Sequence, residues 1–356
     1  MSDFRSKRTV CIIAGRNLGD IVLASSFLKN LAQRNFADEY VAWTRPDAAF
    51  LFSGIPNCTT VTCSFPVGTT KAFDLKQFFR FLQCVRIIRK RQPSVTIDLI
   101  GDFRERVFAK LVKSRQHLQI NWGPGHPFVN LIRIPARISE GTLSIPNTLR
   151  NVYDSHSMFL DSISSSVEST ESSPDPCRTP TRHFRDRVHI GIHMYASQLS
   201  KLWPDSHWRE LVRQLLIRGF KLTVFASPSE KPNVISSLGE LSDHVTISAR
   251  PLPEFFNSLK EVDFLIGVDS VAVHMAALLG KGTLTINSGN PPDMWTPPHG
   301  TMLSSSGNCV HYPCYNRAPC AETSQPYVCI RSITPSEVLR VLEMRLAAMR
   351  FCEKPA

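Results

Sequence analysis

The chain has 356 residues, of which 42% are hydrophobic, so it fits two domains better than one and buries too much surface to be disordered throughout. No run approaches the roughly 18 consecutive apolar residues of a membrane-spanning helix. The net charge of +11 is concentrated in one half: residues 1–160 hold 22 Lys and Arg against 11 Asp and Glu, densest from Lys71 to Arg115, while the remainder holds 19 of each. An excess so placed points to an anionic partner for the first half. Nucleic acid, an acidic membrane surface and a phosphorylated substrate all fit, and a solvated basic face is the bland alternative.

The chain starts with basic residues, but Val10–Gly15 is short for a signal sequence and reads as the first buried strand. Ten cysteines without such a signal suit a reducing compartment. Cys11, Cys58, Cys63, Cys84 and Cys177 are scattered and read as small core hydrophobes or loop thiols. A glycine-bearing loop (Gly15–Gly19) then leads to a helix near Asp20–Asn35, a strand at Tyr40–Thr44 and a basic helix at Asp74–Arg91. Next come a strand at Val95–Ile100 and a helix at Phe103–Ser114. Between Asp161 and Arg182 the composition turns to Ser, Pro and acidic residues, which reads as a linker.

The alternation then restarts. Strands are expected at His189–His193, Lys221–Ala226, Val262–Val268 and Thr283–Ile286, with helices at Trp208–Arg218, Leu252–Lys260, Val271–Leu279 and Pro335–Met349. This pattern predicts an α/β protein with two Rossmann-like, doubly wound domains and a cleft between them. The domains are residues 1–160 and 183–334, with a linker at 161–182 and a terminal helix and tail at 335–356. Ligands of such sheets bind beyond the carboxyl ends of the strands.

Four constellations lie at such places. Gly15-Arg-Asn-Leu-Gly19-Asp20 lacks the central glycine of a dinucleotide fingerprint. Its Asp20 is a helix cap or a general base, and spacing alone favours the cap. Ser197-Gln-Leu-Ser-Lys201-Leu-Trp-Pro204 opens a helix and puts a lysine among hydroxyls, which is either a phosphate clamp or surface capping chemistry. Asp269-Ser270-Val271 directly follows a buried strand and opens an apolar helix carrying His274. A lone histidine on an apolar helix is usually a core residue, but grouped with Asp269 and Ser270 it favours a diphosphate site. Cys309, Cys314, Cys320 and Cys329 offer four thiolates, although their spacing misses the C-x2-C pairs of common zinc sites. Local packing or redox-sensitive thiols are the stronger reading there.

Together these segments resemble the bacterial heptosyltransferases of lipopolysaccharide core assembly, glycosyltransferase family 9, which have the GT-B fold. Asn17-Leu-Gly-Asp20 resembles the family's Gly-Asp motif, and Val95-Thr-Ile-Asp-Leu-Ile-Gly101 its "DLQG" strand. Lys201-Leu-Trp-Pro-Asp-Ser-His-Trp208 is similar to K-x-W-P-x-x-x-W, and Asp269-Ser-Val-Ala-Val-His274 to the donor signature D-[ST]-x-x-x-H. Val271 replaces a common glycine, Gly280-Lys-Gly282 replaces G-x-P, and Asn287-Ser-Gly289 replaces F-G-P.

The resemblance implies inverting transfer of heptose from ADP-L-glycero-D-manno-heptose to a sugar hydroxyl of the lipopolysaccharide inner core. It casts Asp20 as the base, with Ser197, Lys201, Ser270, Val271 and His274 on the donor phosphates, Glu230 on the ribose and Asp269 on the sugar. It assigns the acceptor to the basic half, with Arg86, Arg89, Lys90 and Arg91 as candidates. No cofactor is required, and a structural metal at the Cys-rich segment 309–329 is the added option. The implied partners are the nucleotide sugar, a phosphorylated core acceptor and an acidic membrane surface. Nucleic acid is not expected, and the place is the cytoplasmic face of the inner membrane. Competing readings are transfer of another sugar or onto a protein, a nucleotide-sugar epimerase of the same fold, and a non-catalytic member that binds an anionic glycolipid.

Overall fold

The structure is a computed structural model that describes residues 8–15, 17–63, 75–100, 103–122, 142–144, 151–164, 187–306, 308–315 and 317–351. The expected linker from residue 165 on, Gly101 and Cys177 fall outside these residues. The chain divides into two compact units, Met1–Ser172 and Ser173–Ala356.

The first unit runs β1 (Thr9–Ala14), α1 (Leu18–Gln33), β2 (Glu39–Thr44), β3 (Cys58–Thr62), α2 (Leu75–Lys90), β4 (Val95–Asp98), α3 (Phe103–Val112), β5 (Gln116–Asn121), β6 (Thr142–Ser144) and α4 (Val152–Ser164). Its six strands are all parallel, in the order β3-β2-β1-β4-β5-β6. Every residue of β1 and β4 is buried, as expected of strands covered on both faces. Helix α2 is pinned by Phe81, Cys84, Val85 and Ile88, which pack with Trp43, Val61 and Phe108. The Trp43–Phe81 and Phe81–Phe108 ring centroids are 5.2 and 4.8 Å apart. Helix α4 carries the chain to Ser164, so the first residues of the serine-rich stretch are helical. Phe159 stacks on Phe27 of α1 at 5.8 Å, and Asp161 pairs with Arg34 at 2.7 Å.

The second unit runs β7 (His189–His193), α5 (Asp205–Ile217), β8 (Lys221–Ala226), α6 (Lys231–Leu238), β9 (Thr246–Ala249), α7 (Leu252–Ser258), β10 (Phe264–Val268), α8 (Val271–Leu278), β11 (Gly282–Ile286), α9 (Pro292–Trp295), β12 (Gly300–Leu303), α10 (Val328–Arg331) and α11 (Pro335–Phe351). Its parallel order is β12-β11-β10-β7-β8-β9. Counted within each unit, both sheets have the strand order 3-2-1-4-5-6 of the doubly wound fold. The core of this unit gathers β7, β8, β10 and β11 with Trp203, Trp208 and the buried face of α11.

Candidate active site

In a sheet of this kind the order of the strands reverses between two neighbours, and ligands bind at the carboxyl ends there. In the second unit those strands are β7 and β10. Strand β10 is buried throughout, and the chain leaves it through Asp269 into α8. Ser270 is the N-cap residue of α8, in extended backbone (φ −149°, ψ 171°), with no side-chain bond to the helix. The first N–H groups of α8 therefore lack an intrahelical partner, as at any helix start. The Ser270 hydroxyl instead meets His193 Nδ1, at the end of β7, at 3.2 Å.

Lys201 closes a short 3-10 turn, Leu199–Lys201. Its Nζ donates to Asp269 Oδ2 at 2.8 Å, with side-chain exposures of 19% for the lysine and 7% for the aspartate. Asn290 Nδ2 donates to the same oxygen at 2.9 Å. Burial alone would push the Asp269 carboxyl up, but Lys201, His274 and Asn290 outweigh it and hold the group below the usual carboxylate range. The two tryptophans on the C-terminal side of Lys201 anchor its backbone. Trp203 and Trp208 are buried with centroids 4.8 Å apart, and Trp203 Nε1 donates to the Ile333 carbonyl at 2.9 Å.

His274 is buried on α8, edge-on to Trp295 at 6.2 Å. Burial depresses its pKa; Asp269 pulls it up and Lys201 pushes it further down, so it is neutral near pH 7. His193 is pushed down to about 4 by burial, against a weaker upward pull from Glu230. Glu230, at the start of α6 beyond β8, accepts from both the backbone N–H and the hydroxyl of Ser227, each at 2.8 Å. Ser197 is exposed in the loop after β7, and Val271 opens α8 partly exposed.

Asp269, Ser270, Lys201 and His274 thus form one connected cluster, with Glu230 close enough to act on the His193 ring. Two members of this cluster are absent from the sequence-based set. His193 carries a positional signal, as the last residue of a strand bordering the reversal. Asn290 has none: it lies in the loop after β11, and only the fold returns it to Asp269. Of the three departures from the family's pattern, Gly280-Lys-Gly282 lies at the other end of β11. There Lys281 Nζ donates to the carbonyls of Lys260 and Val262, both at 2.6 Å. Its lysine supports the scaffold, whereas Val271 and the Asn287–Asn290 loop belong to the site's end of the sheet.

In the first unit the reversal lies between β1 and β4. Asn17 is the N-cap residue of α1, and its Nδ2 donates to Asp20 Oδ2 at 2.9 Å. The N-cap position that spacing favours for Asp20 therefore belongs to Asn17. Asp20 lines a small apolar cavity with Ile13, Leu23, Leu99, Trp122 and His156, and burial depresses the His156 pKa to about 4. Asp98 is fully buried and accepts from the Ile100 N–H at 3.0 Å. The four acceptor candidates divide. Arg89 Nε donates to the Leu111 carbonyl at 2.6 Å and Arg91 pairs with Glu39, whereas Arg86 and Lys90 are exposed.

The four late cysteines are free thiols. Cys329 is raised by burial first, then by Cys309, Cys314 and Cys320, which lie close enough to oppose a charge on it. Among the described residues no three His, Cys, Asp or Glu side chains are grouped so as to hold a metal. The segment braces the loop after β11. Tyr315 N–H donates to the Gly289 carbonyl at 2.8 Å, and the Tyr312 hydroxyl to the Asn290 carbonyl at 3.4 Å.

Residues 155–328 match the family model described as glycosyltransferase family 9 (heptosyltransferase). That stretch, just under half of the chain, is similar to glycosyltransferase family 9. No curated protein matches it in sequence. Among solved structures, the chain is similar to a family 9 glycosyltransferase from Veillonella parvula, at 14% identity over 96% of this chain and 98% of that one, with a TM-score of 0.73. It is also similar to E. coli heptosyltransferase WaaC, solved with ADP-2-deoxy-2-fluoro heptose, at 14% identity over 94% and 99%, TM-score 0.69. E. coli ADP-heptose lps heptosyltransferase II gives 15% identity over 96% and 99%, TM-score 0.64. The fold is GT-B, and the enzyme is a glycosyltransferase.

Proposed function

We propose that this glycosyltransferase transfers a heptose from ADP-L-glycero-D-manno-heptose to a sugar hydroxyl of the lipopolysaccharide inner core, with inversion at the anomeric carbon. The observation that carries the reading is the Lys201–Asp269–Ser270 cluster at the start of α8. It combines a cation and helix N–H groups, suited to a diphosphate, with a buried carboxylate suited to sugar hydroxyls.

The second unit holds the donor. Lys201, Ser270, Ser197 and the first N–H groups of α8 meet the diphosphate and stabilise the charge that grows on it as the glycosidic bond breaks. His274 stays neutral beside it and adds no charge repulsion of its own. Asp269 Oδ2 is taken by Lys201 and Asn290, and the carboxylate's other oxygen receives a hydroxyl of the sugar. Glu230 takes the ribose hydroxyls. The first unit holds the acceptor, whose hydroxyl gives its proton to Asp20 as it attacks; a positioned base of this kind contributes about 10²–10⁴-fold. The acceptor's phosphates draw on the basic excess of this unit. Because that acceptor is lipid-anchored, the enzyme works at the cytoplasmic surface of the inner membrane.

The test is to mix purified protein with ADP-heptose and a panel of truncated core acceptors, reading ADP release and acceptor mass together. ADP release with an acceptor heavier by one heptosyl unit is expected, reduced at least a hundredfold in Asp20→Asn. Full turnover in that variant removes Asp20 as the base, and no ADP release with any acceptor overturns the reading.

A further inference from the structure

Helix α2 keeps its inner face in the core through Phe81, Cys84, Val85 and Ile88, yet its outer face is neither polar nor neutral. Leu75 is 64% exposed, Phe79 65% and Ile87 42%. The other exposed positions on the helix are Lys76, Arg80, Gln83, Arg86 and Lys90. These eight residues recur at helical spacing and form one stripe about four turns long. It carries four cations, and α2 contains no acidic residue at all.

We propose that this face of α2 is a docking surface for a lipid bilayer rich in anionic headgroups, with Leu75 and Phe79 entering the interface and the cations meeting the headgroups. Charge and apolar exposure together select this occupant. A phosphorylated saccharide in solution, or a nucleic acid, would use the cations but leave an aliphatic and an aromatic side chain almost fully wetted. A second copy of the chain would set four cations against four. A bilayer surface satisfies both kinds of side chain at once, because the hydrocarbon boundary lies a few ångströms below the phosphates. The inference deepens the membrane placement proposed above and stands apart from the choice of donor.

The experiment is co-sedimentation of the full chain with vesicles of phosphatidylcholine alone and of phosphatidylcholine mixed with phosphatidylglycerol. Binding to the mixed vesicles and not to the neutral ones is expected. The double variant Leu75→Ser/Phe79→Ser should lose at least tenfold in vesicle affinity, and Arg80→Gln about fivefold, near the contribution of one surface cation. Since these side chains are exposed, the urea midpoint stays unchanged, as does sugar transfer to a water-soluble truncated acceptor. Failure of the wild type to bind anionic vesicles overturns the proposal. So does a serine variant that binds as the wild type does, which would mark a purely ionic patch, or complete displacement from vesicles by a soluble phosphorylated saccharide. Vesicle binding without any sugar transfer leaves the docking face standing and removes the transferase reading instead.

Discussion

Replacing Lys201 with methionine tests the electrostatic core of the site. The pair it breaks is close, 2.8 Å, and its carboxylate is 7% exposed, so the variant leaves Asp269 charged and buried with only Asn290 and the His274 ring to offset its burial. Removing one partner of a fully buried pair costs about 3–5 kcal/mol. The lysine is partly exposed and the amide remains, so the expected loss is about 2–3 kcal/mol, or roughly 4–12 °C in the melting of a unit of this size. Without the lysine, burial dominates and the Asp269 carboxyl rises above its unfolded value. A group raised in this way favours folding only while it is protonated. The penalty should therefore be full at pH 7 and shrink as pH falls towards about 4. Urea unfolding at several pH values, followed through Trp203 and Trp208, measures this. Lys201→Met/Asp269→Asn should recover much of the loss, since the orphaned charge is gone. A loss below about 0.5 kcal/mol, or one that ignores pH, would mean that Asp269 does not depend on this cation.

Other outcomes rest on the same geometry. His193→Leu removes the partner of the Ser270 hydroxyl and should lower turnover by up to about tenfold, the upper end of the net worth of one neutral hydrogen bond. His193→Asn, whose amide nitrogen reproduces the Nδ1 position, should restore most of it in the same assay of ADP release. Because burial carries His193 from the ordinary 6.5 to about 4, the unfolded chain takes up a proton that the folded ring refuses. Stability of the second unit is thus full above about pH 6.5 and is lost as pH falls towards 4; in His193→Asn that slope should flatten. Gly282→Ala would set a Cβ 2.5 Å from Phe264 Cδ2 and 3.3 Å from Met349 Sδ. It should cost about 1–3 kcal/mol in urea unfolding while leaving ADP affinity unchanged, because it lies at the far end of its strand from Asp269.

The elements most legible in the sequence are those with the strongest local pattern. Val10–Ile13, His189–His193 and Val262–Val268 are apolar runs bounded by turns, and all three belong to inner strands. Cys58–Thr62, Thr246–Ala249 and Gly300–Leu303 give no such signal. Each is an edge strand of its sheet, and half-exposed edges carry a weak pattern. The site divides in the same way. Asp269, Ser270 and Lys201 stand where a strand passes into a helix, which the alternation of elements locates. Asn290 reaches Asp269 from 21 residues away through a loop with no regular period, and contact of that kind is decided by tertiary packing alone. Asp20 reads as a cap because carboxylates near helix starts commonly are; Asn17, three residues earlier, has that position.

The tie between the Trp203 indole and the Ile333 carbonyl spans 130 residues. The same core is completed by Val338, Leu342 and Leu346 of α11, and Arg218 at the end of α5 reaches Glu343 at 2.9 Å. During synthesis the segment that positions Lys201 therefore leaves the ribosome long before its hydrophobic cover exists. At about 5–20 residues per second, Trp203 and Trp208 wait on the order of ten seconds for it. Over that interval the second unit presents two uncovered indoles beside an unfinished parallel sheet. The segment that sets Lys201 in place is accordingly completed only when the last helix of the chain has been made.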